Sequence, residues 1–364
     1  MDRPLIAIAT VAIAFLVSLS LTRGAMEFAI RRSWLDEVGE RKVSTRRLPR
    51  IGGVGVATGT ITALLATFVM PTDRFDVERD RIVLLMIAST LLFAVMLVDD
   101  LRGLGAVTKL MLQIAAAAIV TLPRIDGVDR GIVIEQFNAP GLGLVSLPVW
   151  AAIGFSLFWM VGMMNTVNLI DGLDGLAGSL TLVASAILFA HTYFWPRDDP
   201  QFTISLIPAA LAGATLGFLV YNWHPARIIL GDAGAYYVGF ILAVGAIIGG
   251  AKIATALLAL GLPILDVAWV VIYRLRTGRS PLAADRGHLH HRLLDLGLSQ
   301  SRIVLLVSAT SLLFGMSSLL LPTRELKLVA IAGIGVVLLG TVMAVAGEPG
   351  KGGGRGQRIR ARFR

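Results

Sequence analysis

Residues 149–194 read VWAAIGFSLFWMVGMMNTVNLIDGLDGLAGSLTLVASAILFAHTYF, two apolar stretches joined by a short polar segment from Asn168 to Gly175. A helix needs roughly 17–25 mostly apolar residues to cross a bilayer. Both flanks, 149–167 and 176–195, meet that length. Working outward, nine more stretches qualify: 4–22, 53–70, 82–98, 106–123, 203–221, 233–250, 253–272, 303–321 and 326–346. The pattern predicts an all-α protein, a polytopic transmembrane helical bundle of about eleven spans. The second stretch is rich in Gly and Thr, and the fourth carries Lys109 and Gln113. These two are the weakest of the set.

Between the fourth and fifth stretches, Ile132–Phe137 and Leu144–Leu147 flank Asn138-Ala139-Pro140-Gly141. Turn residues between short strand-like runs predict a small β-hairpin at the membrane surface, on the periplasmic side. Residues 1–346 are expected to form one transmembrane domain. Residues 347–364, rich in Gly and Arg, form a basic tail expected to be disordered.

Composition agrees. The 364 residues are 55% hydrophobic and 16% charged, against about 25% charged in soluble domains. Mean hydropathy is +0.77. There is no cysteine, so disulfides and thiolate metal sites are excluded and any metal must be held by oxygen or imidazole. The net charge of +9 lies in short loops between apolar runs, which fits membrane orientation and not nucleic-acid binding. The first stretch has a weak n-region, Arg3 beside Asp2, and no small-x-small cleavage site before Arg23, so it is expected to be a retained helix. No internal repeat is evident, which disfavours an inverted-repeat transporter.

Eleven spans put the termini on opposite sides. The loops 23–52, 99–105, 168–175, 222–232 and 273–302 with the tail hold 22 Lys and Arg, and the other side holds 10. Without the tail's six the split is still 16 to 10. By the positive-inside rule the first side is cytoplasmic and the N-terminus lies outside.

The polar clusters fall on that first side. Asp99-Asp100 ends the third stretch, and two adjacent carboxylates at a bilayer boundary repel each other unless a cation compensates them. Carboxylate oxygens are hard ligands suited to Mg²⁺; the alternative is a helix end pinned at the interface. Asn168, Asp171 and Asp174 recur every three residues, which predicts one side of a helical turn, loosened by Gly172 and Gly175. Tyr221-Asn222-Trp223-His224-Pro225 precedes Gly231-Asp232-Ala233-Gly234; Asp232 stands just before the eighth stretch, where a carboxylate also serves as an N-cap. His288, His290 and His291, three of the five histidines, lie beside Arg286 and Arg292. A histidine cluster can bind zinc, but flanking arginines favour an anion such as phosphate. A basic stretch (Arg41, Lys42, Arg46, Arg47, Arg50) leads to Gly52-Gly53, whose amides are placed to meet a phosphate. Physics alone does not choose among these cations. Together the clusters offer what phosphoryl transfer requires: carboxylates for Mg²⁺ and cations for diphosphate charge. The surface location points to one lipid phosphate and one water-soluble substrate.

These motifs resemble the polyprenyl-phosphate N-acetylhexosamine-1-phosphate transferase family. The resemblance runs from Lys42 to about Leu296, through Pro49-Arg50-Ile51-Gly52-Gly53, Asp99-Asp100 with Lys109 and Gln113, Asn165 to Ala177, Gly231 to Gly234, and His288-Leu289-His290-His291. It implies attack of undecaprenyl phosphate on the β-phosphate of a UDP-N-acetylhexosamine, with release of UMP, in the bacterial inner membrane. By motif, Asp99, Asp100 and Asp232 would be the catalytic acids and, with Asp171, the metal ligands for Mg²⁺, Mn²⁺ being the substitute. Lys109, Asn168, Asp171, Asp174 and Asn222 would bind substrate, and His288, His290, His291 and Arg292 would contact the diphosphate and sugar. The split histidines and the Leu-Pro-Arg-Ile-Gly-Gly entrance resemble the N-acetylglucosamine branch and not the muramoyl-pentapeptide branch. Ser44 and Ala235 depart from residues frequent in relatives and bear on substrate choice. An ion-coupled transporter would instead need a mid-bilayer acid, for which Asp266 is the candidate. A homodimer is left open as the assembly.

Overall fold

The computed structural model describes residues 2–36, 47–125, 128–139, 143–194, 201–248, 253–278 and 288–321, with scattered positions between 326 and 340. The described elements run α1 (Arg3–Arg31), α2 (Gly53–Ala66), α3 (Asp76–Arg102), α4 (Ala106–Thr121), β1 (Arg124–Ile125), β2 (Val128–Asp129), β3 (Gln136–Ala139), β4 (Gly143–Ser146) and α5 (Val149–Ile170). They continue with α6 (Leu176–Phe194), α7 (Phe202–Asn222), α8 (Gly231–Ile248), α9 (Ile253–Ala259), α10 (Gly261–Arg276), α11 (Leu289–Asp295) and α12 (Gln300–Leu320). Each of the first ten predicted spans falls on a helix of this series. The eleventh, 326–346, and the tail 347–364 lie largely or wholly outside the described residues.

Among the described residues, seven helices are long and apolar enough to cross a membrane: α1, α3, α5, α6, α7, α8 and α12. The chain is therefore a mostly helical, multi-pass membrane protein. The two stretches marked weakest, α2 and α4, are shorter apolar helices. The ninth predicted span is broken: α9 and α10 meet at 81° around Leu260. Pro263 in the first turn of α10 is the local cause, since proline lacks the N–H that would continue a helix and fits a first turn. The predicted hairpin forms with Gln136 opposite Ser146 and Ala139 opposite Gly143; its tip at Pro140-Gly141 lies outside the described residues. A second pair, β1 with β2, precedes it.

Helix α8 occupies the centre, almost wholly buried and packed by α2, α3, α5 and α7. In a bilayer, close helix approach is favoured where small residues remove side-chain bulk. Gly53 and Gly234 show this at the end of α8 that bears the polar motifs: a Cβ on either would overlap the Cα of the other. The backbones of α2 and α8 thus touch where both helices begin.

Candidate active site

The charged centre is assembled from the ends of four helices. Asp99 and Asp100 close α3, and Gly103, at φ 72°, turns the chain after them. Helix α4 starts three residues later and carries Lys109 in its first turns back over Asp99, at 2.6 Å from Nζ to Oδ2. Lys109 also reaches Oδ2 of Asp232 at 2.8 Å. Asn168, in the last turn of α5, donates to Oδ1 of Asp232 at 3.1 Å.

Asp232 is not an N-cap, its alternative reading; it lies inside the first turn of α8. Asp100 takes the capping role from another helix. Its Oδ1 accepts the Asp232 N–H at 3.1 Å and its Oδ2 accepts the Ala233 N–H at 3.0 Å. Those amides have no partner within their own helix, and a carboxylate also suits the positive end of the helix dipole. Gly231, at φ 80°, makes this fit, because a Cβ there would strike the Arg50 carbonyl and the Asp100 carboxylate.

Arg50 is the cation that the residue pattern alone did not single out. Its guanidinium pairs with Asp232, with Asp100 at 3.1 Å and with Asp36 at 3.7 Å. The segment before α2 is laced to the start of α8: the Ile229 N–H donates to Pro49 O at 3.0 Å, the Gly52 N–H to Ile229 O at 3.0 Å and the Gly53 N–H to Leu230 O at 2.9 Å. This corrects the expectation that Gly52 and Gly53 offer free amides to a phosphate, and it fixes Arg50 in register with Asp232. Burial works against the charge of Arg50, but Asp232 and Asp100 outweigh it and hold the guanidinium protonated. Of the other cations, Arg47 has no ion pair among the described residues, and Arg41, Lys42 and Arg46, with Ser44 and Arg286, lie outside them.

Carboxylate oxygens of Asp99, Asp100 and Asp232 lie within 4.8 Å of one another. Three carboxylates face two cations, Arg50 and Lys109, so the cluster has a surplus negative charge. Asp171, which ends α5, responds to it: burial, with the negative charge of Asp232 and Asp100 nearby, pushes its carboxyl well above the usual range. A compact set of hard oxygen donors with uncompensated charge fits a divalent cation such as Mg²⁺.

The three-residue repeat does not form one helical face. Helix α5 ends at Ile170, and 171–175 is a turn. Asp174 points to another task, accepting from His224 Nδ1 at 2.8 Å and from the Ala226 N–H at 3.1 Å. Asn222 is buried, accepts from the Gly175 N–H at 3.0 Å and donates to Ile228 O at 2.8 Å. Both residues clamp the 171–175 turn to the loop before α8, and so shape the wall of the centre through backbone.

The histidine loop reaches the same wall. His288, His290 and His291 are all buried, with His290 stacked on His288 at 5.7 Å between ring centroids. His290 Nε2 packs against Gly172, where a Cβ would come within 2.6 Å of it. Burial, with His291 and His288 beside it, holds the His290 imidazole well below its ordinary pKa. Arg292 follows on α11. Asp266, the candidate for a lone acid in the ninth span, is not isolated: its Oδ2 lies 2.9 Å from His288 Nδ1 and its Oδ1 accepts the Leu289 N–H at 2.8 Å.

Beside the charged centre runs an apolar groove of about 360 Å³, lined among others by Leu21, Gly24, Phe28, Trp34, Leu97 and Leu101. In sequence, its lining residues Trp34, Ile51 and Leu101 stand two, one and one residues from Asp36, Arg50 and Asp100.

A cluster of this charge and composition, at the end of a bundle of apolar helices, has the residue types that phosphoryl transfer needs. Comparison with known proteins agrees. Residues 82–250 match the profile of glycosyl transferase family 4. The chain is 32% identical to the decaprenyl-phosphate N-acetylglucosaminephosphotransferase of Mycolicibacterium smegmatis, over 81% of this chain and 77% of that one. It is 28% identical to the probable undecaprenyl-phosphate N-acetylglucosaminyl 1-phosphate transferase of Bacillus subtilis, over 87% of both. A phospho-N-acetylmuramoyl-pentapeptide-transferase of Rubrobacter xylanophilus is 30% identical over 80% of this chain and 90% of its own. The chain belongs to glycosyl transferase family 4.

Proposed function

We propose that the protein transfers N-acetylglucosamine 1-phosphate from UDP-N-acetylglucosamine to undecaprenyl phosphate. The observation that carries this reading is the cluster in which Arg50 and Lys109 interleave with Asp99, Asp100 and Asp232. The names of the mycobacterial and Bacillus relatives support the sugar and the lipid. In the reaction a lipid-phosphate oxygen forms a bond to the β-phosphorus of the donor, and the bond from that phosphorus to the oxygen bridging to the α-phosphate breaks. UMP leaves with the electron pair.

Asp99, Asp100 and Asp232, with Asp171 behind them, would hold Mg²⁺, which supplies Lewis-acid neutralisation of diphosphate charge when bound. Lys109 and Arg50 do the fixed part of that work, as preorganised cations facing the negative charge that the transition state spreads over phosphate oxygens. Asn168 orients Asp232. His288, His290, His291 and Arg292 face the donor from the Gly172 side, and the apolar groove beside Asp100 takes the first isoprene units of the acceptor. Asp174 and Asn222 hold the surrounding loops. The basic loops support a cytoplasmic site, an external N-terminus, a periplasmic hairpin and eleven crossings of the inner membrane, with 1–346 as one domain and 347–364 as its tail.

The test is UMP release by purified protein given undecaprenyl phosphate, Mg²⁺ and a panel of UDP-sugars. UDP-N-acetylglucosamine is expected to be the preferred donor, with Asp99→Asn and Asp232→Asn inactive. Preference for UDP-muramoyl-pentapeptide would transfer the protein to the other branch, and no UMP from any donor would overturn the enzyme assignment.

A further inference from the structure

Asp266 stands outside the carboxylate cluster, on the arm that follows the break at Leu260. Its side chain is 5% exposed and that of His288 is 6% exposed. Both oxygens are used: Oδ2 faces His288 Nδ1 at 2.9 Å and Oδ1 accepts the Leu289 N–H at 2.8 Å. His288 is the N-cap of α11 and Leu289 its first residue, and the His288 side chain makes no capping bond of its own. One carboxylate therefore performs two tasks, closing the start of α11 and engaging the imidazole that precedes it.

An ionised carboxylate only accepts hydrogen bonds, so the nitrogen that faces it must carry the proton. In the neutral ring this leaves the lone pair on Nε2, and in the charged ring the carboxylate stabilises the imidazolium. A backbone carbonyl would fix the tautomer equally well but would stabilise the charged ring less. The parallel stacking of His290 on His288, with ring planes 5° apart, passes the orientation on to the ring that lies against Gly172.

We propose that Asp266 is a positioning residue for His288, fixing the proton on Nδ1 and the lone pair on Nε2, and through the stacked His290 setting the histidine face presented to the sugar nucleotide. This rests on the reading of the site as a sugar-1-phosphate transferase. It assigns Asp266 no contact with substrate. Asp266→Asn is the informative change, because the amide oxygen can still accept the Leu289 N–H while the amide nitrogen can only donate to the ring. The cap survives and the tautomer inverts.

Three readouts on the full-length protein test this. Asp266→Asn should lower kcat for UMP release roughly 10- to 100-fold, the range of losses when a residue orienting a functional histidine is changed, with KM for the sugar nucleotide nearly unchanged. In protein labelled with nitrogen-15 at histidine, the ring signals of His288, assigned by its loss in His288→Gln, should move from the Nδ1-protonated to the Nε2-protonated pattern. Asp266→Glu, which keeps the carboxylate, should retain the wild-type pattern and recover part of kcat. If Asp266→Asn is too unstable to purify, the Glu variant and wild type carry the nitrogen-15 test on their own. Wild-type kcat in Asp266→Asn, an unchanged His288 ring pattern in that variant, or an Nε2-protonated ring in the wild type would each overturn the proposal. A wild-type protein that releases no UMP would overturn the transferase reading instead, and the ring pattern would still be readable.

Discussion

Asp100 caps the helix that presents Asp232: its Oδ1 lies 3.1 Å from the Asp232 amide nitrogen, and its other oxygen takes the next amide. The two acids of α3 thus have different work. Asp99 meets Lys109 and the Leu104 N–H of the loop before α4, whereas Asp100 spends its oxygens on the first amides of α8 and on Arg50. Asp100→Ala is expected to destabilise the protein by about 1–3 kcal/mol, from the lost cap and the buried amides left unpaired. Asp99→Ala loses one loop bond, from the Leu104 N–H to Oδ1, but no helix cap, and should remove activity with a smaller change in stability. Thermal unfolding in detergent, run beside UMP release, separates the two; equal stability losses would contradict the division.

Lys109 bridges Asp99 and Asp232 across two helices. Lys109→Met leaves those carboxylates facing each other without their cation, so kcat should fall by about 10²–10³, as for loss of one preorganised group facing transition-state charge. Chelation of divalent cations should abolish wild-type UMP release, and Mg²⁺ should restore it. Activity that survives chelation would remove Mg²⁺ from the site.

His290 is buried and its imidazole is held neutral. The unfolded chain protonates a histidine near about pH 6.5, and the folded chain does not, so the unfolded state binds more protons below that value. The stability tied to neutral His290 is complete above that pH and is lost as the pH falls through it. The unfolding temperature should therefore drop on acidification from about pH 7.5 to about pH 5.5, and His290→Gln should flatten the part of the slope due to this residue. An identical slope in the variant would place the sensitivity elsewhere.

Gly24 faces open space in the apolar groove, so a side chain there meets no packed atom. Gly24→Trp should fold and fill the groove. Displacing two methylene-sized groups of a prenyl chain costs about 1.6 kcal/mol, or about a tenfold rise in KM for undecaprenyl phosphate. KM for the sugar nucleotide should stay constant, and a short-chain acceptor should lose less. Equal effects on long and short acceptors would exclude the groove as the chain's path.

The spans were legible because an apolar run of bilayer length has few other uses, and the described helices follow those runs closely. The acidic motifs were legible because carboxylates at a membrane boundary demand an explanation. The selection of Arg50 was not legible, since five nearby cations look alike until Ile229 and Leu230 lock one of them in register. That Asp174 and Asn222 also hold backbone was not legible, because polar spacing carries no record of which backbone groups a turn leaves unpaired. The partners of Asp266 were not legible because an apolar count treats 253–272 as one straight helix. Pro263 was the available signal for the break, and it brings Asp266 to the histidines.

The 81° bend at Leu260 sets apart two differently held parts of the site. The carboxylates and cations are locked between helices whose backbones touch, as at Gly53 and Gly234, where even a methyl group is too large. The histidines hang from the bent arm, held by Asp266 and resting on Gly172. A change on the arm therefore reaches the histidines through Asp266 and leaves the interlocked start of α2 and α8 in place.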